Sequence, residues 1–160
     1  MMRGALLCML TSILAGASQV YAQVPHVAEN APQDKPVRVE STAEKDRLDR
    51  ALAPYVALAR ATYPQAKRRY LVGLPPRHSF FVSVELHDPA GRREMVFLAV
   101  DSLARDSIYG RIWNQVRLVR GYRLRDRYVV PESKLLDWLI TKPDGTEEGN
   151  VVGKFLDTYR

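Results

Sequence analysis

Two β-rich runs separated by a short turn constrain this chain more than any other feature. Ser79 to His87 carries Phe81, Val82, Val84 and Leu86, and Glu94 to Val100 returns after Asp88-Pro89-Ala90-Gly91. Asp at the first position of that turn, Pro at the second and Gly at the fourth are the residues a tight reversal favours. Strands this close leave no room for a crossover helix, so the sheet they found is antiparallel. Ile108 to Trp113 predicts a third strand, with Ile108, Gly110 and Ile112 on one face. Tyr122 to Val130 predicts a fourth, in which Tyr122, Leu124 and Tyr128 alternate with Arg123, Arg125 and Arg127. Leu135 to Ile140 is too short for its pattern to separate strand from helical turn, and Pro143-Asp144-Gly145 reads as a turn.

Helical spacing brackets these strands. Ser41 and Glu44 have the spacing of a capping box, and Leu48, Leu52, Tyr55 and Ala59 recur on one side of the helix that follows. Pro54 is expected to kink that helix or start a second one, and Pro64 to end it, so the helix spans about residues 43–61. Asn150 is placed to cap a final helix carrying Val151, Val152, Phe155, Leu156 and Tyr159. The expected class is α+β: an N-terminal helix packed on a small antiparallel sheet, with a short C-terminal helix.

The first 22 residues have the plan of a secretory signal peptide. Arg3 precedes a 13-residue apolar run at 5–17, and Val20-Tyr21-Ala22 offers a cleavage site after Ala22. The run falls short of the ~20 residues a spanning helix needs, which disfavours an uncleaved anchor. Residues 23–41, with Pro25, Pro32 and Pro36, read as a flexible linker, and 42–160 as a single domain. Removing 22 of the 160 residues leaves 138 and discards Cys8, the one cysteine. Disulfides, thiolate zinc sites and cysteine nucleophiles are thereby excluded. No second apolar stretch reaches transmembrane length, so the expected product is periplasmic or secreted, without a transmembrane span.

The net charge of +6 is unevenly distributed. Residues 60–128 hold 14 basic and 6 acidic residues, while the segments on either side are slightly acidic. Arg117, Arg120, Arg123, Arg125 and Arg127 supply much of the excess, the last three from one face of the predicted fourth strand. Such a face steers anionic partners, or is simply the solvated side of a half-buried strand. Export argues against nucleic acid and for an acidic protein or an anionic envelope component, whether lipid headgroup or polymer.

Several stretches taken in order resemble one bacterial family. They are Leu58-Ala59-Arg60-Ala61-Thr62-Tyr63-Pro64, Glu94-Met95-Val96-Phe97, Ile108-Tyr109-Gly110 with Asn114, Leu136-Asp137-Trp138-Leu139, and Asp144-Gly145 with Gly149-Asn150. Together they look like the YegJ-like domain family of unknown function, over about residues 58–156. Phe97 stands where that family usually has Trp, and Arg125-Asp126 where it usually has Gly-Asp. The resemblance implies a small α+β domain with no established activity. That family is also similar to immunity proteins of bacterial toxin systems.

No catalytic set, metal site or cofactor motif can be assembled. His78 and His87 stand at opposite ends of one predicted strand with an odd separation, which points them to opposite faces. Glu85 and Glu94 are candidates for cross-strand neighbours and for a carboxylate pair, but no serine has a nucleophile-elbow context. Asp137 and Trp138 are candidates for partner contact, with Trp138 as an exposed anchor, or else for the core; Trp113 divides the same way. The expected function is a non-catalytic periplasmic binding module with a basic face. The alternatives are an immunity-type protein that blocks a cognate toxin and an enzyme using Glu85 or Glu94.

Overall fold

The computed structural model describes residues 31–32 and 42–159. The expected signal peptide, most of the expected linker and the cap expected at Ser41 lie outside the described residues. Helix α1 spans Thr42–Val72 and is followed by strands β1 (Ser79–His87), β2 (Arg93–Ala104), β3 (Ser107–Ile112) and β4 (Arg127–Pro131). A 3-10 turn at Glu132–Lys134 leads to β5 (Asp137–Thr141), β6 (Glu147–Gly149) and helix α2 (Val151–Thr158). The six strands form one sheet in the order β4-β3-β2-β1-β5-β6, with every neighbouring pair antiparallel. The class is α+β.

The hairpin at the sheet's centre forms where the turn residues place it. Asp88 Oδ1 accepts from the backbone N–H groups of Ala90 and Arg92, which holds the reversal between β1 and β2. The β2–β3 reversal uses Arg105 and Asp106 at φ 48° and 60°, the two positive values a two-residue hairpin needs. Leu135 to Ile140 resolves as a strand, because Asp137 to Thr141 pairs with β1 on one side and β6 on the other.

Helix α1 does not break at either proline. Pro54 and Pro64 both lie on its exposed side, where a carbonyl deprived of its donor can turn to water. On the opposite side Ala59, Tyr63 and Ala66 pack into the main core with Phe80, Val82, Val84 and Leu86 of β1. That burial overrides the local cost of proline and carries the helix on to Val72. Its N-terminal half, through Leu48 and Leu52, packs instead with Val152 of α2, and Tyr55 stacks on Phe155.

The alternate residues of the central strands form a second apolar cluster. Phe81 pairs with Ala99 and Leu139, and these three with Phe97 are buried on the sheet face away from the main core. Trp113 and Ala31 pack against that cluster.

The predicted fourth strand is corrected. Only Arg127–Pro131 is strand; residues 122–126 belong to a loop. Gly121 and Arg125 take φ 92° and 73°, which interrupts an extended path, and Asp126 Oδ2 accepts from the Arg123 N–H within a local turn. Arg123, Arg125 and Arg127 therefore do not share one strand face.

Candidate functional site

The arginine-rich segment is a loop tied down through its backbone. Glu94, at the start of β2, is buried, and its carboxylate accepts from three successive N–H groups: Arg117 at 2.9 Å, Leu118 at 2.7 Å and Val119 at 3.2 Å. The next N–H, that of Arg120, donates to Asp88 Oδ2 at 3.2 Å. Successive amides converging on one oxygen form an anion-binding concavity. Here the chain's own carboxylates fill it. The flanks are fixed as well: Asn114 Oδ1 accepts from the Phe97 N–H at 2.7 Å, and the Arg125 N–H donates to the Ile112 carbonyl at 2.7 Å. The Arg92 guanidinium beside Asp88 holds its carboxyl down at about 2, so this anchor stays charged across the neutral range.

The guanidinium groups of the loop, and that of Arg127 where the loop enters β4, stay out of ion pairs. Arg117, Arg120, Arg123, Arg125 and Arg127 are all exposed, and none has a carboxylate within ion-pair distance among the described residues. Elsewhere some cations find partners, Lys67 with Glu132, Arg69 with Glu148, Arg93 with Asp49 and Glu85, and Arg111 with Asp101, while the exposed Arg47, Arg50, Arg68, Arg77 and Arg105 are scattered over α1 and the turns without one among the described residues. Arg125 lies 5.8 Å from the Trp113 ring centroid, a cation–π contact that directs its charge without neutralising it. Arg127 stands directly across from Arg111 in the β3–β4 register, a like-charge pairing that sheets disfavour unless something offsets it. Leu118 and Leu124, between these arginines, are 46% and 37% exposed.

Asp137 and Trp138 are corrected from partner contacts to core. Asp137 is fully buried, and its two oxygens accept from the Trp138 N–H at 2.8 Å and the Val152 N–H at 2.7 Å. It thus satisfies the first turn of α2 from a neighbouring strand, while Asn150, at φ 55°, makes no side-chain cap there. The Trp138 ring is buried, and its Nε1–H donates to Thr62 Oγ1 of α1 at 3.0 Å. Gly149 packs directly against it. Neither side chain is free to meet a partner. Trp113 is partly buried beside Phe81.

Burial pushes the Asp137 carboxyl up to about 6 from its ordinary 3.8, against the pull of its backbone donors and of Lys154. The folded state therefore holds this proton more tightly than the unfolded chain. The stabilisation linked to it is complete below the unfolded value of 3.8 and is lost as pH rises through about 6. The expected size is about 3 kcal/mol, two pKa units at ~1.4 kcal/mol each. Denaturant unfolding from pH 4.5 to 7 is expected to show about 2 kcal/mol of this fall in the wild type, the rest lying below pH 4.5, and none of it in Asp137→Asn. The lowered carboxylates, Asp88 and Glu148 among them, act with the opposite sign at more acid pH.

The carboxylate pair does not form. Glu85 is aligned with Met95 and Glu94 with Leu86, so the two acids sit one residue out of register and on opposite sheet faces. Glu85 pairs with His87 at 2.9 Å and Arg93 at 3.3 Å. His78 Nδ1 lies 3.1 Å from the Pro76 carbonyl, away from His87. Among the described residues no group of three His, Cys, Asp or Glu side chains is placed to hold a metal.

Fold and site together define an α+β protein with a braced cationic loop. Comparison with protein-family models, curated proteins and solved structures found no match.

Proposed function

We propose that this chain is an exported YegJ-like protein that acts as a non-catalytic periplasmic binding module, its loop from Arg117 to Arg127 engaging an acidic or anionic envelope partner. One observation carries this reading. The acids around the loop, Glu94, Asp88 and its own Asp126, spend oxygens on backbone amides, and none forms an ion pair with the five guanidinium groups. A loop that only needed solvation could pair some of those cations, as Arg93 and Arg111 on the neighbouring strands do. Bracing by backbone holds the charges in place before a partner arrives, which lowers the ordering cost of association.

The YegJ-like assignment is supported by what its motif positions do. Arg125 has φ 73°, a conformation glycine favours, where that family usually has Gly. A Cβ on Gly110 would lie 2.5 Å from the Ala99 carbonyl oxygen, and Asn114 fastens β2. Arg60 Nε donates to the Leu135 carbonyl, and Thr62 accepts from Trp138. These residues hold the scaffold together, so they speak for a fold and leave the activity to the loop.

Capture of a partner from envelope extract tests the function. Retention at low salt, weakened at moderate salt and by the combined Arg123→Ala, Arg125→Ala and Arg127→Ala substitutions, is expected. Capture unaltered by the triple substitution would refute the role of the loop. Co-purification of a single exported toxin would give the immunity-type alternative its first direct support.

A further inference from the structure

We propose that the loop segment from Arg117 to Arg125 docks on an anionic phospholipid surface, with Leu118 and Leu124 entering the headgroup boundary and the flanking arginines pairing with lipid phosphates. This rests on the reading of the loop as the binding element and names the chemistry of its partner.

Three observations lead there. The first is the pattern of exposure. Leu118 lies between Arg117 and Arg120, and Leu124 between Arg123 and Arg125, and both leucines are exposed on a braced loop, not turned into the core. Apolar side chains interleaved with cations match a bilayer interface, where the acyl boundary takes the leucines and the anionic headgroups take the guanidiniums. An acidic protein would pair with the cations but would also need a pocket shaped for each leucine.

The second is the state of the backbone. Entering an interface removes water from main-chain amides, and an unsatisfied amide in that setting is costly. The N–H groups of residues 117–120 already donate to Glu94 and Asp88. That part of the loop can therefore leave bulk water with its donors satisfied. The same arrangement argues against capture of free phosphate by the backbone, since the concavity that would cradle it is filled.

The third is the charge. The arginines lack ion-pair partners, so a phosphate surface gains their full attraction with no internal bridge to break. Among the described residues no helix is long and apolar enough to cross a membrane.

The test is co-sedimentation of the processed chain, residues 23–160, with vesicles of phosphatidylglycerol and phosphatidylethanolamine, and with neutral phosphatidylcholine vesicles. Binding to the anionic vesicles is expected to weaken about fivefold for each arginine changed to glutamine. The double variant Leu118→Ser and Leu124→Ser, with its charge intact and an unchanged thermal midpoint, is expected to lose about tenfold. A second readout uses the absence of cysteine from the processed chain. A polarity-sensitive dye on Leu118→Cys should shift to the blue with anionic vesicles, and one on Val72→Cys, an exposed site at the end of α1, should not. Vesicle binding that ignores the leucines would overturn the insertion. No vesicle binding, with arginine-dependent capture of an acidic protein from extract, would overturn the lipid proposal and leave the binding-module reading standing. Loss of both would overturn both.

Discussion

Replacing Glu94 with alanine is expected to lower the unfolding free energy by about 4 kcal/mol, because several backbone donors lose their acceptor at once. The carboxylate accepts from Arg117, Leu118 and Val119, and Val119 is itself buried in the main core. Water can rehydrate the amides of Arg117 and Leu118, but not readily that of Val119. The loop should therefore loosen before the sheet does, and hydrogen exchange at 117–119 should accelerate well beyond that of β1. Glu85→Ala is the control. Its carboxylate sits at the surface with His87 and Arg93, and its loss should cost under about 1 kcal/mol. Equal costs for the two substitutions, read by urea denaturation, would contradict the bracing role of Glu94.

Gly149→Ala should destabilise by a similar amount, about 4 kcal/mol, by combining backbone strain with overpacking. A Cβ at this position would lie 2.3 Å from the Trp138 carbonyl oxygen and 2.9 Å from its ring. Relief requires moving Trp138, which breaks its register with β1 and its bond to Thr62. Gly91 isolates the two contributions. It has φ 76° against 75° for Gly149, but a Cβ there would meet nothing within 4 Å. Gly91→Ala should therefore cost only the conformational share, about 1 kcal/mol. Thermal or urea unfolding of both variants gives the comparison, and matching losses would remove the packing role assigned to Gly149.

The central hairpin was legible because its turn residues and its β-rich arms agree, and local preference and global fold point the same way there. The C-terminal helix was legible from Val151, Val152, Phe155 and Leu156, though its cap was not. The acid that serves α2 is Asp137, fifteen residues upstream on another element. Helix α1 is longer than its sequence predicts because Pro54 and Pro64 are strong local signals, and only the packing of Ala59, Tyr63 and Ala66 shows that the solvent side tolerates them. The alternation of Tyr122, Leu124 and Tyr128 with arginines imitated a strand. Positive φ at Gly121 and Arg125 turned it into a loop. Strand β6, only three residues with two glutamates, carries no β signal of its own and exists by pairing with β5. Of the candidate site, the arginines were visible in the sequence. Their bracing was not, since Glu94 and Asp88 lie 23 to 32 residues from the amides they hold.

The central claim is that recognition resides in the free guanidiniums of this loop, and not in the basic charge of the chain as a whole. Two variants of equal charge separate these directly. One changes Arg117, Arg120, Arg123, Arg125 and Arg127 to glutamine; the other changes Arg47, Arg50, Arg68, Arg77 and Arg105, which are also exposed. Capture from envelope extract at fixed ionic strength should be lost in the first and kept near the wild-type level in the second. Equal loss in both would contradict the account.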